Sequence, residues 1–130
     1  MFGPPGHAYV YRSYGLHWCL NAVCREAGHG AAVLIRALQP TDGVAAMCQR
    51  RGSTQLRLLA AGPGRVCQAL AVDRSHDGLP LDAPPFAWLP PGQPMMDIVS
   101  GPRIGIRQAA ELPWRFAAAG SPFLSRPLRA

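Results

Sequence analysis

Residues 7 to 24, "HAYVYRSYGLHWCLNAVC", constrain the fold more than any other stretch. From His7 the side chains alternate: His7, Tyr9, Tyr11 and Ser13 fall on one side, Ala8, Val10, Arg12 and Tyr14 on the other, the period of two that a strand requires. Gly15 then permits a turn, and Trp18 to Cys24 reads as a second strand. Residues 8 to 24 are therefore expected to form an antiparallel hairpin with Tyr14 near its tip. All three tyrosines of the chain lie in this hairpin, within six positions of one another.

"AAVLIRAL", residues 31 to 38, predicts a third strand, apolar on both faces except at Arg36. Pro40 ends it. A helix follows to about Arg51, capped by Thr41 or Asp42 and stopped by Gly52. "GPGRVCQAL" places Pro63 at the start of a second helix with Val66, Cys67 and Leu70 on one face. Asp73 to Pro94 carries six of the 14 prolines, which predicts an ordered surface loop with short extended pieces. "GPRIGIRQA" and "PWRF" return to strand-like chemistry, and the last ten residues read as an exposed tail. A chain of 130 residues accommodates one such domain.

All 13 basic residues are arginines, against seven acidic ones, giving a formal charge of +6. Arginine forks onto phosphate and keeps its charge at any accessible pH, so a polyanion such as nucleic acid is one reading and biased codon usage the other. Cys19, Cys24, Cys48 and Cys67 lack paired metal-ligand spacing and read as reduced, mostly buried thiols of a cytoplasmic protein. The N-terminus has no secretion-signal pattern, and no stretch is long, apolar and proline-free enough to span a membrane.

Several residues admit two readings. Tyr14 at a hairpin tip beside Arg12 is placed either to wedge between stacked bases or to pack on a loop. Tyr11 can floor a pocket for a flat ligand or join a core. A guanidinium inside "VLIRAL" needs a partner, so Arg36 marks either a structural ion pair or a functional site. None of Glu26, Asp42, Asp73, Asp77, Asp82, Asp97 and Glu111 has an evident reason to reach it. "GPG" at 62 to 64 is a phosphate cradle or a turn, and Arg50 and Arg51 face phosphate or end a helix.

Taken in order, "MFGPPGHAYVYRSYGLHWCLN", "VLIRALQP", "GPGRVCQAL", "GPRIGI" and "PWRF" with "GSPFLS" resemble the alkyladenine (3-methyladenine) DNA glycosylase family of bacterial type, across almost the whole chain. The resemblance implies an α+β fold: a single mixed domain around a curved antiparallel sheet, with a protruding hairpin and a few helices. It implies a monomer on double-stranded DNA that flips out an alkylated or deaminated purine and hydrolyses its glycosidic bond, with no metal and no cofactor. On it, Tyr14 is similar to the tyrosine that fills the gap left by the flipped nucleotide, Tyr11 to an aromatic wall, and Asn21 to the residue that screens out guanine. Arg36 is similar to the arginine near the catalytic water, and Ile104 to a position whose carbonyl helps hold that water. Arg103 and Arg107, flanking "IGI", are candidates for phosphate contact.

The family's general-base glutamate and two stacking residues precede the "MFG" segment, so this sequence is expected to be the C-terminal portion of such a domain, weakly active alone. A non-catalytic duplex-binding remnant is the alternative. Gln39 stands where the family usually has glutamate, in "ALQP".

Overall fold

Alternation produces a hairpin because pleated strands pair only if their apolar sets share a face. In the computed structural model, which describes residues 4–13, 15–24, 31–89, 97–104 and 112–126, β1 (Ala8–Ser13) pairs with β2 (His17–Cys24) antiparallel, in the register Tyr9 opposite Asn21 and Tyr11 opposite Cys19. β3 (Ala31–Leu34) adds to the other edge of β2, with Asn21 opposite Leu34. The outer edge of β1 is covered by the proline-rich loop. Ala8 donates to the Leu79 carbonyl at 2.8 Å, Gly78 donates to that of Ala8, and Asp77 Oδ1 accepts from the Val10 amide at 2.8 Å. A 3₁₀ turn, Arg74–His76, shapes this loop, and the Asp73 carboxylate caps it through Ser75.

The third strand is shorter than the expected 31 to 38. Ile35 still donates to the Leu20 carbonyl at 3.0 Å, but the chain then leaves β2: Ala37 bridges to Ala61, and Leu38 donates to the Ala60 carbonyl. Nor is it apolar-buried on both faces, since Val33 is 55% exposed. The first helix, α1 (Val44–Arg51), ends at Gly52 as expected, but neither Thr41 nor Asp42 caps it. Gly43 takes that place in the left-handed region, φ +70°, with no side-chain bond. α2 (Pro63–Leu70) begins at Pro63 and buries Val66, Cys67 and Ala69.

The core lies between α2 and the hairpin. Ala8, Val10 and Leu20, from the face opposite the tyrosines, meet Cys67, Val72 and Leu81, while α1 lays Met47 against Ala60, Val66 and Ala69. Arg50 and Arg51 join the two helices. Arg50 Nη1 donates to the Ala69 carbonyl at 2.7 Å, Arg51 Nε to that of Leu59 at 3.0 Å, and Gln68 Nε2 to that of Arg50 at 3.0 Å. From the last turn of α1, Arg50 thus satisfies a carbonyl that the last turn of α2 leaves unbonded, and Arg51 that of Leu59 ahead of α2.

Of the strand-like stretch expected over 101 to 109, residues 105 to 109 lie outside the described residues. β4 (Ile98–Gly101) pairs antiparallel with β5 (Arg115–Ala118) and stops before Pro102, which has no amide hydrogen for a ladder. Among the described residues the strands form two antiparallel sheets, of three and two strands, and with the helices they make the expected α+β domain.

Candidate functional site

Register decides what stands beside Arg36. The β2–β3 ladder ends with Asn21 opposite Leu34, and Arg36, two residues on, lies within electrostatic reach of Cys19 and of its β1 partner Tyr11. Side chains of directly opposed residues share a face. One row therefore crosses the sheet on one side, Tyr9, Asn21 and Leu34, and beside it stand Tyr11 and Cys19, with Arg36 just past the end of β3. The rings of Tyr9 and Tyr11 stand 5.3 Å apart and tilted by 33°, with Tyr11 36% exposed. Asn21 is buried, and its Nδ2 donates to the Tyr9 carbonyl at 3.2 Å, which fixes the amide plane and orients Oδ1.

Burial and charge act together on these side chains. Burial raises the Tyr11 phenol, the Cys19 thiol adds to the rise, and Arg36 opposes it. Burial likewise raises Cys19, against the pull of Tyr11 and Arg36. Arg36 is held below the ordinary guanidinium value, first by burial and then by the charges of Arg115 and Arg126. Its Nε is buried and meets no hydrogen-bond acceptor among the described residues.

On its other side Arg36 opens onto a cavity of about 730 Å³ between the β3 segment and the β4–β5 ribbon. Arg103, Ile104, Trp114, Arg115 and Phe116 share its wall. The Arg103 guanidinium lies 5.2 Å from the Trp114 ring centroid, and Trp114 and Phe116 are exposed. Residues 120 to 125 line it too, and the Arg126 carbonyl accepts from Arg115 Nη2, so this part of the expected tail is packed. Tyr11 and Asn21 stand on the sheet face beside the cavity and not in its wall.

A family model described as methylpurine-DNA glycosylase matches residues 1–122. The chain belongs to the methylpurine-DNA glycosylase family. Relatives of the same kind, which carry the name 3-methyladenine DNA glycosylase, occur in Nitrosospira multiformis (60% identity over 129 residues, 99% of this chain) and Nitrobacter winogradskyi (60% over 129 residues). One from Rhodopseudomonas palustris is 63% identical over 127 residues. The chain spans 62 to 66% of the length of these three relatives.

Of the residues expected from the sequence, Tyr11 and Asn21 share one face of the hairpin, Arg36 lies within electrostatic reach of Tyr11, and Arg36, Arg103 and Ile104 line the cavity. Tyr14 and Arg107 lie outside the described residues. The "GPG" turn also has a packing role: a Cβ at Gly64 would meet the His17 ring at 2.8 Å. Sequence reasoning missed Arg115, which is buried in β5 opposite Gly101. The argument that singled out Arg36, a guanidinium inside an apolar run, applies equally to "WRFAAA". Among the described residues, no helix is long and apolar enough to cross a membrane.

Proposed function

We propose that this chain forms the DNA-facing and water-positioning part of a base-excision glycosylase acting as a monomer on duplex DNA, in the cytoplasm. A purine alkylated at N3 or N7 is cationic, leaves readily and is drawn to aromatic faces. Extrusion of the nucleotide costs a few kcal/mol, which a wedge and stacking offset. Tyr14 is the proposed wedge and Tyr11 the stacking wall, with Tyr9 behind it. Asn21, its Nδ2 already engaged, is the proposed discriminator against guanine. Arg36 and the Ile104 carbonyl are assigned to the attacking water, and Arg107 to backbone phosphate. The observation that carries this reading is the family match over residues 1–122, supported by Tyr11 and Asn21 on one face of the hairpin with Arg36 within electrostatic reach of Tyr11.

Hydrolysis also needs a base. The described carboxylates are Asp42, Asp73, Asp77, Asp82 and Asp97, and none forms an ion pair with Arg36. Asp73 and Asp77 are committed to backbone bonds far along the proline-rich loop. These 130 residues by themselves are therefore proposed to bind duplex and to release base slowly. A positioned general base contributes roughly 10²- to 10⁴-fold, which sets the expected deficit.

The test is single-turnover base release from duplex carrying one hypoxanthine, and from methylated DNA, beside the Nitrosospira multiformis relative. Salt-dependent duplex binding with release slower than the relative by roughly 10²-fold or more is expected. Release at the relative's rate would show that one of this chain's own seven carboxylates acts as base and that the assignment around Arg36 is wrong. Failure to bind duplex at low salt removes the reading altogether.

A further inference from the structure

The proline-rich loop runs antiparallel to the outer edge of β1 and pairs with the chain there rung by rung. Leu81 donates to the Gly6 carbonyl at 2.9 Å, Ala8 to that of Leu79 and Gly78 to that of Ala8, both at 2.8 Å. One rung further, the same register would bring the Val10 amide to the backbone carbonyl of residue 77. There the loop turns away: Gly78 takes φ +83°, and the Asp77 amide is drawn back to the Arg74 carbonyl at 3.1 Å. The Asp77 side chain supplies the rung instead, its Oδ1 accepting from the Val10 amide at 2.8 Å. Val10 is 4% exposed, and a buried N–H left without an acceptor is costly.

The same peptide unit is held at its other end. Its carbonyl belongs to Tyr9 and accepts from Asn21 Nδ2 at 3.2 Å. A peptide group is planar and stiff, so its N–H and its carbonyl cannot be re-aimed separately. Asp77, the Tyr9–Val10 peptide and the buried Asn21 thus form one hydrogen-bonded chain across β1, from the loop to β2. A charged acceptor at one end polarises the peptide and strengthens the bond at the other. Tyr9 and Tyr11 flank this peptide on the strand, so the tie that fixes it also fixes the backbone from which both rings project.

We propose that Asp77 is a positioning residue for Asn21: through the Tyr9–Val10 peptide it fixes the plane of the Asn21 carboxamide, and so sets how sharply the site rejects guanine. The effect on guanine rests on the role proposed above for Asn21; the tie itself rests on two hydrogen bonds made by one peptide. Asp77 acts from the opposite edge of β1, 67 residues along the chain from Val10.

Two measurements on the whole chain test it, each comparing the native protein with Asp77→Ala, Asp77→Asn and Arg50→Ala. Asparagine keeps the Oδ1 acceptor and changes the charge as alanine does. Arg50→Ala removes a bond between the helices and controls for lost stability alone. In the first, ¹H–¹⁵N NMR follows the Val10 amide and the Asn21 side-chain amide at a temperature where every variant is folded. Both signals should move in Asp77→Ala and stay near their native positions in Asp77→Asn, and the Asn21 signal should stay in place in Arg50→Ala.

In the second, affinity is measured for duplexes that carry either hypoxanthine or guanine opposite thymine at one position, two purines that differ by the exocyclic amine. The preference for hypoxanthine should fall about fivefold in Asp77→Ala, as for one weakened hydrogen bond, and hold within about twofold in the other two variants. An Asn21 amide that does not respond to Asp77→Ala overturns the tie. A response with no loss of preference confines Asp77 to covering the edge of β1 and overturns its part in selectivity. An equal loss in Arg50→Ala assigns the effect to stability and overturns it too. A native chain that binds both duplexes alike removes the role proposed above for Asn21, while an Asn21 signal that moves in Asp77→Ala and returns in Asp77→Asn still upholds the tie.

Discussion

A methyl group added at Gly64 would press on Cγ, Cδ2 and Cβ of His17 at 2.8 to 3.0 Å, and the last of these cannot swing away without moving β2. Gly64→Ala should therefore destabilise, although alanine favours the helix by about 1 kcal/mol, because overpacking costs about 1–3 kcal/mol. Chemical denaturation should show a net loss on the order of 1 kcal/mol, and His17→Ala in the same chain, which removes the ring but keeps Cβ, should reduce it. Cys67 makes a pH prediction. It is 2% exposed, and burial raises its thiol from the ordinary range to about 11. The unfolded chain then releases this proton first as pH rises. Its contribution is complete below about pH 8, declines as the unfolded thiol titrates, and is lost by about pH 11, a fall of up to roughly 2–3 kcal/mol. Urea midpoints from pH 7.5 to 10.5 should drop accordingly. Cys67→Ala should lower the neutral value and flatten the alkaline slope in part, since Cys19 and Tyr11 are raised by burial too.

Between elements, the pairing of α1 with α2 depends on polar side chains as well as on Met47 and Val66. Arg50→Ala removes a 2.7 Å bond from a guanidinium to the Ala69 carbonyl and should lower stability by about 1–2 kcal/mol. Its duplex affinity, measured at a temperature where both forms are folded, should match the native chain; a shallower salt slope in Arg50→Ala would instead make this arginine a phosphate ligand. The hairpin and both helices were legible because each rests on a local rule: alternation around Gly15, Pro63 at a first turn, Gly52 past a last one. The length of β3 was not. Residues 35 to 38 continue the apolar run apart from Arg36, and it is the chain at Ala60 and Ala61, far along the sequence, that bonds residues 37 and 38. The cap of α1 failed for a similar reason, since Gly43 in the left-handed region starts the helix with no side-chain bond from Thr41 or Asp42.

Over the whole molecule, 13 arginines against seven carboxylates predict duplex binding dominated by counterion release. If about four phosphates are neutralised, affinity should fall roughly 10²-fold between 50 and 200 mM salt in an anisotropy titration. A salt-independent affinity would show that charge does not drive the association. The sequence by itself determined the family, through five motifs in order, and the hairpin that puts Tyr9 and Tyr11 on one face, because period-two alternation and turn chemistry act over a few neighbouring residues. It also marked Arg36, since a guanidinium in an apolar run demands a partner wherever the chain goes. Only the tertiary structure decided what surrounds that guanidinium. Cys19 and Tyr11 meet it from the paired strands β2 and β1, and Arg115 comes from the far end of the chain across the cavity. Charge acts through space across a few ångströms, and the residues within that reach of Arg36 are set by how distant segments pack, which no local pattern encodes.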